Sequence, residues 1–174
     1  VEYGKVVLGR REIDEEKMAV VLQEICGQSY GNRYYPSFSG VVRSLNYYPI
    51  GEEKAEDGIA NVAMGLGKYI VDGGMTLRFS PKHPHHVLQT STLDFALRET
   101  QTYFYALDLN QKDFVPKVDD SFNLLKVSVR DAENDGSLRL LASTYDVYDQ
   151  VLYDGIYDGG RKVITFANIL QHNA

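Results

Sequence analysis

The apolar residues of this chain come in short runs rich in β-branched and aromatic side chains, and glycine, proline or an Asp-Gly pair soon cuts most of them off. The runs are MAVVLQEIC at 18–26, SFSGVVRSLNYYP at 37–49, IANVAM at 59–64, MTLRF at 75–79, ETQTYFYALDL at 99–109, FNLLKVSVR at 122–130 and KVITF at 162–166. Such punctuation restricts the fold to short strands joined by turns. The expected class is α+β: β-rich, with few and short helices. The run at 18–26 is too continuously apolar for a surface strand and reads as a buried central one. The run at 37–49 alternates and reads as a half-buried strand, with Gly40 marking a bulge or a close backbone approach. A short helix is expected over 68–72, ending at Gly73-Gly74. Gly27 to Gly31 read as a turn, and Pro81 and Pro84 enforce an irregular crossing. Asn134-Asp135-Gly136 is a turn signal that would pair 122–130 with 138–145 as a hairpin.

At 174 residues the chain is long enough for one domain with a real core and short for two. Its formal charge of −6, with no basic stripe, argues against nucleic acid as a partner. No apolar stretch approaches the length of a membrane span, and no signal-peptide pattern is present. The single cysteine excludes an internal disulfide, and its place in an apolar run reads as buried and inert.

Local motifs carry little chemistry. Lys82-His83-Pro84-His85-His86 invites a metal reading, but adjacent histidines do not easily share one ion and Pro84 fixes an extended shape; a solvated loop is the better account. Tyr-Asp recurs at 145–146, 148–149, 153–154 and 157–158 without the spacing of a calcium loop, so Asp154-Gly155 and Asp158-Gly159 read as turns. These tyrosines would suit a carbohydrate- or protein-binding surface. Ser39 lies in S-F-S-G, not in a nucleophile elbow. Gly65-Leu66-Gly67 is too short for a dinucleotide fingerprint; it would let backbone amides approach a phosphate, or simply permit close packing. No catalytic residue and no metal ligand is assigned.

The order of segments says more. MAVVLQEICG, SFSGVVRSLNYYP and EDGIANVAMGLGKYIVDGG follow one another over about residues 12–80. That succession resembles the nucleotide-binding region of the phosphoenolpyruvate synthase and pyruvate phosphate dikinase family. There, V-x-V-Q-x-M-V precedes S-G-V-A-F-[ST]-x-x-P and then a strand ending in G-L-G-E-x-[VI]-V-x-G. The matching positions are 19–26, 39–49 and 63–73. The tail at about 154–170, with DGGRKVITFANIL, is also similar; 85–150 is divergent or inserted. The resemblance implies an ATP-grasp fold, and a chain that is one portion of a larger cytoplasmic enzyme. It implies that Gln23 contacts the nucleotide, with Glu24 and Ile25 beside the adenine. Arg43 and the glycines Gly65 and Gly67 are weaker ATP-binding candidates. Ser39-Gly40 is similar to the family's hairpin partner, where a small pair lets one strand pass close to the next.

Two positions depart from the pattern: Arg43 stands where the family usually has phenylalanine, and Lys68 replaces the glutamate of G-L-G-E. The family's cations around the γ-phosphate, its metal-binding carboxylates and its phosphocarrier histidine are not recognisable. Val87-Leu88-Gln89-Thr90 imitates a late family motif but lacks its arginine. The resemblance therefore implies ATP and Mg²⁺ as cofactors, with the metal ligands elsewhere. It implies a swivelling phosphohistidine domain and a pyruvate-binding domain as partners, and no activity of this portion alone. The alternative is a non-catalytic β-rich interaction module that uses the Tyr-Asp surface.

Overall fold

The computed structural model describes residue 19, residues 21–110 and residues 123–171. Within them, ten strands form three antiparallel sheets with four short α-helices, an α+β arrangement. The first sheet has the order β1 (Gln28–Tyr30), β2 (Arg33–Tyr35), β6 (Tyr103–Asp108), β7 (Leu124–Ser128). The second runs β3 (Phe38–Arg43), β4 (Ile59–Met64), β5 (Leu77–Phe79), and the third β10 (Arg161–Ile164), β8 (Ala142–Asp146), β9 (Val151–Asp154). The helices are α1 (Lys68–Val71), α2 (Leu93–Arg98), α3 (Val129–Asn134) and α4 (Ala167–Leu170).

One core draws on all three sheets, from Tyr35, Phe104 and Val127 through Val62, Met64 and Leu77 to Ala142 and Ile164. Each large apolar side chain removed from water there contributes about 1.5–3 kcal/mol. Tyr35 stacks on Tyr30 at 4.6 Å and packs at a tilt on Phe104 at 4.7 Å between ring centroids. The Tyr35 hydroxyl donates to Asp135 Oδ2 at 2.8 Å, while Asp135 Oδ1 takes the Arg33 guanidinium at 2.8 Å. Burial pushes the Tyr35 phenol well above its ordinary range, so it stays a donor.

Two polar devices join the second sheet to the first. Gln101 is buried; its Oε1 accepts from Met64 N, and its Nε2 donates to the carbonyls of Met64 and Tyr103. Leu66 N donates to Tyr105 O across the same seam. Gly65 sits in the left-handed region at φ +81, and a Cβ there would lie 2.7 Å from Phe104 Cδ2 and 2.9 Å from Tyr105 O. Only glycine fits that approach.

Several expectations match the structure. IANVAM is β4, with Ala60, Val62, Ala63 and Met64 buried, and the helix after the glycine turn is α1, followed by Gly73 at φ +76. Others need correction. The apolar run at 18–26 is not a buried strand: residues 21–26 have no regular structure, and Val21 and Leu22 are 87% and 93% exposed. No described strand pairs with it, and its apolar side chains have no core to enter; Cys26 is likewise exposed. Met18 and Val20, part of the same expectation, lie outside the described residues.

Gly27 to Gly31 do not form only a turn. Gln28–Tyr30 and Arg33–Tyr35 pair as a hairpin closed at Gly31-Asn32. The strand expected over 37–49 ends at Arg43 and is mostly exposed rather than half-buried, because β3 is an edge strand paired only with β4. Beyond it the chain is held as a loop, with Asn46 Nδ2 and Ile50 N donating to the buried Glu53 carboxylate at 2.9 and 3.0 Å.

The hairpin expected from Asn134-Asp135-Gly136 does not form. Ser128 caps α3 by accepting from Arg130 N, so the run 122–130 turns from strand to helix at Val129. Gly136 at φ +70 follows the end of that helix, β7 pairs with β6, and β8 pairs with β9 and β10. The last strand stops at Ile164, and Phe166 at φ +55 begins the turn into α4.

Candidate functional site

The segment before β1, the first part of β3 and the turn into α1 line a concavity of about 690 Å³. Gln23, Glu24 and Ile25 line it from that segment, Ser39 and Gly40 from β3, and Gly67 and Lys68 from the turn. Leu66, Ile70, Val71, Leu107 and Leu124 give it an apolar wall. Its size is that of small-molecule and cofactor clefts, which are mostly apolar with a few placed polar groups.

Each lining segment is positioned by identifiable contacts. Tyr34, on β2, fixes the segment that carries Gln23 to Ile25: its hydroxyl accepts from Gly27 N at 3.0 Å and donates to Ile25 O at 2.9 Å. A Cβ on Gly27 would lie 2.7 Å from the Tyr35 carbonyl, so glycine lets the segment pass the end of β2 at close quarters as it enters β1. On the other side, Ser39 Oγ donates to Gly65 O at 2.7 Å, tying β3 to the glycine turn. Ser39 and Gly40 stand opposite Ala63 and Val62, and a Cβ on Gly40 would reach Val62 Cγ1 at 3.0 Å. The small pair thus serves a close approach of β3 to β4, not to the 18–26 segment.

Four of the sequence candidates meet in this concavity, Gln23, Glu24, Ile25 and Gly67, and two do not. Arg43 lies at the far end of β3, paired with Ile59. Gly65 turns toward Phe104 and the core. Gly67 differs from it: φ is −58, and a Cβ would meet only Ser39 Cβ, at 3.9 Å. The backbone at Gly67 is therefore open to an approaching group. Glu24 and Ile25 keep backbone N–H groups without partners among the described residues, whereas the Ile25 carbonyl already serves Tyr34.

Lys68 and Glu24 are the charged side chains of the lining. The Lys68 ammonium lies 3.2 Å from Asp72 Oδ1 and 5.8 Å from the centre of the Tyr105 ring. Burial, then the neighbouring Tyr103, raises the Tyr105 phenol above its ordinary range, so beside the concavity it is neutral at neutral pH. Tyr34 is the positioning residue that sequence reasoning missed. Its role depends on a fold-back of the chain, and no local signal announces it.

The other sequence candidates are tied into structure. His83 Nε2 is 3.3 Å and Lys82 Nζ 2.8 Å from the Asp57 carboxylate, whose side chain is buried. The Lys82 hydrogen bond is the main reason that this carboxyl is held below its usual range. Among the described residues no group of three or more His, Cys, Asp and Glu side chains is placed to hold a metal ion. Gln89 uses its side chain on Arg78 N and Thr76 O. In the Tyr-Asp region Asp146 Oδ1 accepts from the amides of Tyr148 and Asp149, a turn that leaves Tyr148 almost wholly exposed. No helix among the described residues is long and apolar enough to cross a membrane. No protein-family model matches the chain, and no curated protein or solved structure matches it at a significant level.

Proposed function

We propose that this chain is the ATP-binding portion of a phosphotransferase resembling phosphoenolpyruvate synthase and pyruvate phosphate dikinase. One observation carries the reading. The three segments on which the resemblance rests, separated in sequence, line a single concavity of about 690 Å³. The apolar wall of Ile70, Val71 and Leu107 suits a planar ring. The free N–H groups of Glu24 and Ile25 and the side chain of Gln23 supply polar contacts to its edge. The open backbone at Gly67 suits the close approach of a phosphate. In the parent reaction, ATP phosphorylates pyruvate through a histidine on a separate domain.

Glu24 alone does not make a magnesium site. Mg²⁺ on a nucleotide takes one or two carboxylates together with phosphate oxygens and waters. Under this reading its ligands, the γ-phosphate cations and the phosphohistidine domain belong to other parts of the parent enzyme. What this chain contributes is binding and orientation, with no bond-making step of its own.

The test is a titration of MgATP into isotope-labelled protein, followed by backbone amide shifts. Saturable shifts at Gln23, Glu24, Ile25 and Gly67, weakened in Gln23→Ala, are expected. Saturable shifts centred on Tyr148, Tyr153 and Tyr157 would instead favour the interaction-module reading. A chain extended at both ends that still ignored MgATP would reject the proposal.

A further inference from the structure

A second cleft, sharing no lining residue with the first, lies where the start of β6, the junction of β7 and α3, and the start of β10 meet. Its volume is about 290 Å³, and its lining carries Arg130, Arg161, Lys162 and one carboxylate, Glu133. Lys162 is spoken for. Its side chain is 4% exposed, and its ammonium lies 3.2 Å from Glu133 Oε1 and donates at 2.6 Å to the carbonyls of Tyr157 and Gly159. That ammonium has three N–H bonds, so it is a strut holding the turn before β10, and its charge is cancelled by Glu133.

The two arginines are different. Arg130 is exposed, and its guanidinium has no hydrogen bond or ion pair among the described residues. Arg161 donates from Nη2 to Leu97 O at 2.9 Å and has no carboxylate partner there. Two uncompensated guanidinium groups thus line one polar cleft in a chain of net charge −6.

Hydroxyl groups complete the set. Ser128 Oγ accepts from Arg130 N and Thr100 Oγ1 accepts from Ile164 N, so both hydroxyl protons are left to donate elsewhere. Thr102 is exposed, with no side-chain hydrogen bond among the described residues. Planar guanidinium forks with several O–H donors match the oxygens of a phosphate or a carboxylate, and they offer a neutral or cationic ligand little.

We propose that this cleft binds a small oxyanion, a phosphate or carboxylate group, between the guanidinium groups of Arg130 and Arg161, with Ser128 and Thr102 as hydroxyl donors. The site is independent of the nucleotide reading: its residues are all different.

The experiment follows backbone amide shifts of the isotope-labelled 174-residue chain while inorganic phosphate, and separately malonate, replaces chloride at constant pH and ionic strength. Saturable shifts at Thr102, Ser128, Arg130 and Arg161 are expected. The double variant Arg130→Gln/Arg161→Gln should weaken them about tenfold or more, the loss expected for charge-assisted hydrogen bonds. Tighter saturation by phosphate identifies a phosphate-bearing ligand, and tighter saturation by malonate a carboxylate. The single variant Arg130→Gln removes an exposed side chain that holds nothing in the fold, so it keeps the test meaningful should the double variant unfold. Linear, unsaturated shifts with both anions would overturn the proposal. So would saturation at other residues, or variants that bind as the unaltered chain does.

Discussion

Gly65 and Gly67 stand two residues apart in the turn between β4 and α1, yet alanine should cost far more at one position than at the other. At Gly65 an alanine must take φ near +81, which costs a non-glycine residue about 1–2 kcal/mol. Its Cβ would also sit 2.7 Å from Phe104 Cδ2, 2.9 Å from Phe104 Cβ and 2.9 Å from Tyr105 O. Phe104 is completely buried and Tyr105 O belongs to the sheet, so neither yields freely; overpacking adds about 1–3 kcal/mol. The sum for Gly65→Ala is a loss of about 2–5 kcal/mol. At Gly67 the backbone is already right-handed and the nearest atom is at 3.9 Å, so Gly67→Ala should change stability by less than about 1 kcal/mol. Urea unfolding followed by far-ultraviolet circular dichroism reads both. With a slope of about 2 kcal/mol per molar, Gly65→Ala should lower the midpoint by roughly 1–2.5 M at unchanged slope. If Gly65→Ala costs less than about 1 kcal/mol, or if both variants lose the same amount, the picture of a turn wedged against Phe104 is wrong. The proposed function adds a second readout: Gly67→Ala should keep its stability and lose affinity for MgATP. Undiminished binding would remove Gly67 from the site.

Two further perturbations probe the polar contacts that hold the fold. Gln101→Leu removes three hydrogen bonds and strands the Met64 amide in the core, a loss of about 2–4 kcal/mol; amide exchange at Met64 should accelerate, and unchanged protection there would refute the bridging role. The Asp57 carboxyl is held below its usual range chiefly by the Lys82 hydrogen bond, so its contribution to stability is present above the unfolded-state value of about 4 and is lost as pH falls through the lower folded value. Asp57→Asn should therefore flatten the acid limb of a stability–pH curve below about pH 4 and leave its shape near neutrality alone; an unaltered acid limb would show that another carboxylate governs it.

The parts of the fold legible in the sequence are those whose cause is local. IANVAM declared a strand because its β-formers are bounded by Gly58 and Gly65, and α1 followed from the glycines on either side of it. The run at 18–26 was misread because hydrophobicity states that a segment would gain by burial, not that a partner stands ready to cover it. FNLLKVSVR hid a helix for a related reason: its β-formers continue past Ser128, and the cap that turns the chain is one hydroxyl accepting from Arg130 N.

The same division runs through the sites. Gly67 is a candidate from sequence because a glycine turn before a helix is a local pattern, and that pattern does not tell it from Gly65. The difference is Phe104, nearly forty residues further on, whose ring fills the place of a Cβ at one glycine and is absent at the other. Tyr34 and Gln101 carry no motif, since each becomes a positioning residue only after the chain has folded back on it. Arg130, in the first turn of α3, and Arg161, at the start of β10, meet only at the cleft they line. What fixed Lys162 as a strut and left the arginines for a ligand is the count of acceptors around each cation. That count exists only in three dimensions, so a composition of scattered basic residues reads as featureless even where two of them face one ligand-sized space.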